Sequence, residues 1–411
     1  MEAEARPALK RSLSLAQATL YGLGVTIGAG VYVLIGAAAA RSGMHAPLAF
    51  VLAAILMALS AASFAELASR LPVAAGEAAY VRNAFRSDML ATIVGLLVIG
   101  IAIVSAAAIS VGSAGYIGVF ITLPGPVLVA GVVLAMGAVA GWGINAAVNF
   151  AGVMTVIEIG GLVLLIAAGG AAGSDLVTRL PEALPRHGDG PVLAGILGTA
   201  LLAVFAFIGF EGIANIAEEV RDPKQTLPRA IFLTLAVASV LYVLVLWVSL
   251  VSVPREELAA SPAPLALVFE RLTGAPPATM SAIAIVATLN GIIVQIIMSA
   301  RVLYGLGQQG SLPPMFAKVD RRTRTPLFST AFTTLAVLLL ALMLPLHQLA
   351  DLTSHLTLIV FAFVNLSLIR IKARGGEAPE GVYVAPAWVP WAGFSSCLAL
   401  TLSDLGLLLL G

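Results

Sequence analysis

The chain has 411 residues, 60% of them hydrophobic and only 10% charged, with a formal net charge of +1 and a mean hydropathy of +1.03. That balance excludes an ordinary soluble domain, and basic residues confined to short loops beside apolar stretches exclude a nucleic-acid partner. The single cysteine, Cys397, excludes an internal disulfide framework and a cysteine-rich zinc site. Apolar runs of about 20 residues recur, the length that crosses a hydrocarbon core as helix. The alternating pattern of an outer-membrane barrel is missing, so an all-α membrane protein is expected.

The polar opening MEAEARPALKRSLS leads into an apolar segment too long for a signal-peptide core, so the first span is expected to stay in the mature protein. Eleven spans follow: 14–40, 47–70, 89–122, 126–144, 148–172, 192–217, 228–252, 278–306, 326–345, 348–371 and 387–410. The connections are short, and the sizeable polar loops run 174–190, 254–277 and 307–325, so one transmembrane domain over residues 1–411 is expected. Alternating these spans puts 17 basic residues on the side of the N-terminus and 5 on the other, which sets that terminus in the cytoplasm of a cell-membrane protein.

Within the first span, GVTIGAGVY sets Gly24, Gly28 and Gly30 at one depth. Each costs a helix about 1 kcal/mol relative to alanine, which points to a break rather than to a continuous span. The sixth span carries a second interruption, FIGFEG from Phe207. Laying spans one to five (14–172) over six to ten (192–371) puts the two breaks at matching places. Each half has an odd number of spans, so the halves are inverted, and paired breaks in inverted halves point to a transporter binding site. The span at 387–410 is additional. A broken helix frees N–H groups at the start of one segment and C=O groups at the end of the other. The N–H groups of Ala29, Gly30 and Val31 suit a carboxylate. The carbonyls near Ile27 and from Ala206 to Ile208 suit an ammonium group. An α-amino acid carries both.

Ionisable residues inside the spans are functional candidates by default. Glu66 and Arg301 lie near span ends, where an ion pair or snorkelling suffices, and Asp404 lies outside the ten-span core. Glu158 sits well inside span five and either titrates or hydrogen-bonds across to span one or eight. Glu211 follows the sixth-span break and either binds a proton or caps freed backbone groups. His347, Asp351 and His355 share one helix face at i, i+4, i+8 but sit at a span end without further ligands, so no metal is expected. Small residues Ser105, Ala106 and Ala107 on span three leave room for a bulky substrate side chain. GSAGYIG from Gly112 follows no strand and reads as a packing face. No P-loop, triad or paired catalytic carboxylates occur, so neither an enzyme nor a cofactor is expected.

Four motifs together resemble the amino acid permeases of the amino acid, polyamine and organocation (APC) superfamily over nearly the whole chain: GVTIGAGVY; FAELASRLPVAAGEAAYV from Phe64; FAFIGFEGIANIAEEVRDPKQTLPRAI from Phe205; and RVLYGLGQQGSLPPMFAKVDRRTRTP from Arg301. The resemblance implies the leucine-transporter fold, a 5+5 inverted repeat with helices one and six broken. It also implies that Gly28, Ala29 and Gly30 hold the substrate carboxylate, with Phe205 an occluding gate and Phe207, Ile208 and Gly209 the sixth-helix wall. Some proton-coupled relatives carry a lysine near Glu158, and some exchangers sense protons with a glutamate matching Glu211. The chain departs from the family pattern at Ala75, Gly76, Ala78, Gln308 and Gln309. The expected activity is secondary active transport of amino acids, coupled to protons or by exchange. A polyamine or amino-acid-metabolite antiporter and a non-transporting amino acid sensor are the alternatives.

Overall fold

The computed structural model describes residues 11–27, 30–72, 76–142, 148–173, 175–185, 190–375 and 378–410, and of residues 148–151 and 404–410 the backbone alone. All regular structure among them is helical apart from one isolated bridge, Leu13 to Val220. The helices are α1 (Leu15–Ile27), α2 (Gly30–Ser42), α3 (Ala46–Arg70), α4 (Gly76–Phe85), α5 (Asp88–Ile117), α6 (Gly125–Trp142), α7 (Val148–Ala171) and α8 (Gly190–Phe207). After a 3-10 segment, Phe210–Ile216, come α9 (Pro223–Ser252), α10 (Arg255–Ala260), α11 (Pro264–Thr273), α12 (Ala278–Gln308), α13 (Leu327–Met343), α14 (Leu346–Ala373) and α15 (Trp388–Leu410).

Eight described helical stretches are long and apolar enough to cross a membrane, and α1 and α13 are shorter apolar helices of 13 and 17 residues. Part of the difference from eleven falls at the first span, which is described in two pieces, α1 and α2, because residues 28 and 29 lie outside the described residues. At 1.5 Å per residue neither 13-residue half reaches across a core of about 30 Å. Local chemistry sets many helix ends. Ser87 caps α5 by accepting from the Leu90 N–H at 3.3 Å, Pro223 and Pro264 open α9 and α11, and Gly274 closes α11 in the left-handed conformation.

Two segments read as connections carry structure of their own, and the end of one span differs from α-helix. The link after α3 folds into α4. The loop 254–277 contains α10 and α11, of which α11 buries Leu265, Val268 and Phe269. Beyond the sixth-span break the chain continues as 3-10 rather than α-helix.

The longest packing runs are α5 along α12 and α3 along α9. Helix α1 packs on α7 and α9, and α8 on α3 and α14. Further contacts join α5 with α14, α2 with α8, α7 with α12, α6 with both α12 and α13, and α13 with α5. Helix α15 lies against α14 and α3.

Polar contacts gather at two ends of this stack. At one, Leu13 pairs with Glu219 and Arg221 through the backbone, Arg82 donates to Gln309, and Arg374 donates to the Asn83 carbonyl. Buried Glu66 there accepts from Arg70 (2.7 Å), Lys372 (2.9 Å) and the Ala385 N–H (2.8 Å). At the other end Arg41 makes a two-bond pair with Asp351 (2.8 and 2.5 Å) and donates to the Gly198 carbonyl at 3.0 Å, tying α2 to α14 and α8. His355 Nδ1 lies 2.8 Å from the Asp351 carbonyl.

Candidate functional site

Residues 28 and 29, where the first break is expected, lie outside the described residues; α1 is described to Ile27 and α2 from Gly30, and the second break falls at Ile208 and Gly209, after the end of α8. Thr26 and Gly30 lie against that second break. A Cβ added at Gly30 would overlap the Ala206 backbone, and one added at Gly209 would come within 2.6 Å of the Thr26 nitrogen. Gly209 also has φ +135°, a value that side-chain-bearing residues rarely adopt. These two glycines let one interrupted backbone touch the other directly.

Tyr242, on α9, joins the breaks chemically. Its fully buried hydroxyl lies 2.7 Å from the Thr26 carbonyl and 3.0 Å from the Ala206 carbonyl, the last turns of α1 and α8. A second tyrosine chain fixes α2: Tyr116 on α5 donates to the Tyr32 carbonyl (2.5 Å), and Tyr32 donates to the Glu158 carbonyl on α7 (2.6 Å).

Beside the breaks lies a cavity lined among the described residues by Val25, Thr26, Gly30, Ser105, Ile109, Phe205, Ile208, Gly291, Val294 and Gln295. The space open to the centre of a water-sized sphere is about 10 Å³, roughly one water, so an amino acid enters only if the walls move apart. Further along α2 and α5, a space of about 860 Å³ runs from Val33 and Gly112 past Arg41 to the turn between α13 and α14. Val33 packs directly on Gly112 where the two spaces approach.

Of the residues read from the sequence, Gly30, Phe205 and Ile208 line the cavity. Ile27, Ala206, Phe207 and Gly209 do not: Ile27 is wholly buried, Phe207 stacks on Tyr242 and Phe50, and Ala206 and Gly209 make the backbone contacts between breaks. Gly28 and Ala29 lie outside the described residues, as does Ala75, and of Asp404 only the backbone is described. The lining from α5 and α12 is largely new. Ser105 was read as leaving room for a substrate side chain, but Thr26 and Gln295 were not singled out. Both carry a buried oxygen, Thr26 Oγ1 and Gln295 Oε1, without a hydrogen-bond partner among the described residues. Such atoms are uncommon in folded interiors, and both residues line the cavity. A polar residue on an otherwise apolar helix was the available signal.

The two acidic candidates sit behind this lining. Glu211 Oε2 accepts from the Gly209 N–H at 2.8 Å, capping the second break. Glu158 is wholly buried. Its Oε1 accepts from Asn290 on α12 at 3.1 Å, the cross-helix bond to span eight, and its Oε2 has no partner among the described residues. Asn290 immediately precedes Gly291 in the cavity wall.

Residues 13–405 match the amino acid permease family. The chain is 29% identical over 407 residues to the branched-chain amino acid permease BcaP of Bacillus subtilis (strain 168), covering 92% of this chain and 85% of that protein. It is 26% identical to the methylthioribose transporter of the same organism, covering 90% and 83%. It is 28% identical to the vacuolar cationic amino acid transporter 2 of Arabidopsis thaliana, covering 89% of this chain but only 60% of the plant protein. The chain is therefore a multi-pass membrane protein belonging to the amino acid permease family of the APC superfamily, a family of transporters rather than enzymes.

Proposed function

We propose that this chain is a secondary active transporter that moves amino acids across the cytoplasmic membrane by alternating access, driven by proton coupling or by exchange. In this reading it has eleven spans and a cytoplasmic N-terminus. Residues 14–172 and 192–371 form a 5+5 inverted repeat of the leucine-transporter type, and 387–410 is an added helix. The substrate carboxylate meets the N–H groups at Gly28, Ala29 and Gly30, its ammonium meets carbonyls around Ile27 and Ala206, and Phe205 closes over it. Glu211 and Glu158 are the candidates for carrying a proton.

The observation that carries this reading is the close backbone approach of Thr26 and Gly30 to Gly209 and Ala206 at the sixth-span break, beside a cavity. Helix pairing supports the repeat. A five-span shift turns the pair α1 with α9 into α8 with α3, and α7 with α1 into α14 with α8. The same shift turns α5 with α14 into α12 with α7, and α6 with α12 into α13 with α5. All eight contacts occur.

Uptake of labelled amino acids into proteoliposomes, with and without a pH gradient and with and without internal amino acid, tests the proposal. Uptake driven by the gradient supports symport, and uptake requiring internal substrate supports exchange. Exchange of amines or amino-acid metabolites in place of amino acids would favour the antiporter reading. Binding without uptake under all conditions would make the protein a sensor.

A further inference from the structure

Resting on the transport reading above, we infer that Gln295 and Ser105 form a recognition pair for the substrate side chain, selecting amino acids whose side chain is uncharged and hydrogen-bonding, a carboxamide foremost. Gln295 projects from α12 and Ser105 from α5, so the pair sits across the cavity wall from the α1 and α8 breaks where the backbone of an amino acid would be held. Gln295 lines the cavity, its Nε2 lies 3.4 Å from Ser105 Oγ, and its Oε1 is buried without a partner among the described residues. Ser105 is also buried.

An amide held at one end by a serine offers its other end to whatever fills the cavity. With Nε2 toward Ser105, the free end is an acceptor and calls for a donor on the substrate. Turned by half a rotation, Oε1 takes the serine proton and the free end is a donor. A carboxamide answers either arrangement, and a hydroxyl does so with one bond. An apolar side chain leaves the amide end buried and unmet, which is the costly case.

The rest of the lining argues against charge. Among the described residues no carboxylate and no cationic side chain faces the cavity. Glu211 is turned to the Gly209 N–H, and Glu158 to Asn290. An ammonium or guanidinium side chain would lose its water without gaining a counter-ion. On this basis the site differs in substrate class from what the names of the plant relatives describe.

The test is competitive uptake into proteoliposomes of glutamine, methionine and lysine, the first two having side chains of nearly equal length. The expected result is that wild type takes glutamine over methionine by about tenfold or more, a ratio on the scale of one unmet buried polar group, with lysine least. Gln295→Met, close in shape, is expected to bring the glutamine-to-methionine ratio to about one or below. Ser105→Ala, which frees the amide without deleting it, is expected to lower the ratio part of the way, and carries the test if Gln295→Met does not fold. A wild-type preference for methionine or lysine, or a ratio unmoved by both substitutions, overturns the inference while leaving amino acid transport standing. No uptake of any of the three by wild type overturns the transport reading and the inference with it.

Discussion

Gly30 and Gly209 are among the positions where one added methyl group has nowhere to go, because what it would meet is backbone rather than the end of a flexible side chain. Gly209→Ala adds backbone strain, worth about 1–3 kcal/mol, to that overlap, and Gly30→Ala forces the breaks apart at a similar cost of about 1–3 kcal/mol. Both are expected to lower thermal stability in detergent and weaken substrate binding at least tenfold, on the order of 1.4 kcal/mol; unchanged affinity in both would detach the breaks from the site. Glu211 separates a structural from a titrating role. Glutamine at 211 keeps an oxygen for the Gly209 N–H, so Glu211→Gln is expected to fold normally and to flatten the pH profile of uptake. Leucine there leaves that N–H unmet at a cost of about 1–3 kcal/mol. A Glu211→Gln profile superimposed on wild type would leave only the cap. The break in the sixth span was legible, since FIGFEG places glycines inside an apolar run, and there α8 ends at Phe207 and Gly209 takes φ +135°. Thr26 and Gln295 were not, because a sequence gives the depth of a residue in a span but not the direction the helix turns it.

Among the elements, the loop after α9 shows why polar segments hide structure. Helix α11 is only ten residues long, too short to stand out beside spans of thirty, yet amphipathic enough to bury Leu265 and Phe269 against its neighbours. The 3-10 segment after Gly209 was equally hidden, since no composition distinguishes it from α-helix. Gln308 and Gln309, where the family pattern has charges, donate to the Ala317 carbonyl and accept from Arg82, so neutral amides tie the α12 end to α4 and the following loop. The Arg41–Asp351 pair holds three elements at the opposite end, but its side chains are about a quarter exposed. Its worth to stability is therefore small, at most about 1 kcal/mol. Asp351→Asn is expected to leave the unfolding temperature nearly unchanged while raising the labelling rate of a cysteine at Ile109, in the cavity wall, by up to about fivefold from that face. A slower rate, or a large loss of stability, would show that the pair is a fold determinant and not a latch.

For the molecule as a whole, the two-ended grouping of polar contacts agrees with the basic-residue bias along the chain, and this much was legible because short loops leave charges few places to lie. Nodes such as Glu66 with Arg70, Lys372 and Ala385 were only half legible: an ion pair or snorkelling was expected for Glu66, and the structure has the ion pair, but its partner some 300 positions away depends on the packing of α3 and α14. Glu77, in the link after α3, gives stability a pH dependence. Burial pushes its carboxyl from the ordinary 4.5 up to about 7, against a smaller pull downward from its own backbone N–H. Since the folded value lies above the unfolded one, the contribution is full below about 4.5 and is lost as pH rises through about 7. Thermal unfolding in detergent is expected to show wild type falling behind Glu77→Gln between about pH 5 and pH 8, and parallel curves would remove Glu77 from the account.

The Tyr242 hydroxyl has one proton and two carbonyls in reach. Neither helix owns that proton, so when α1 shifts relative to α8 the hydroxyl can turn from one carbonyl to the other instead of losing its hydrogen bond. In the proposed transport cycle Tyr242 is then a tether that outlasts the motion of either helix.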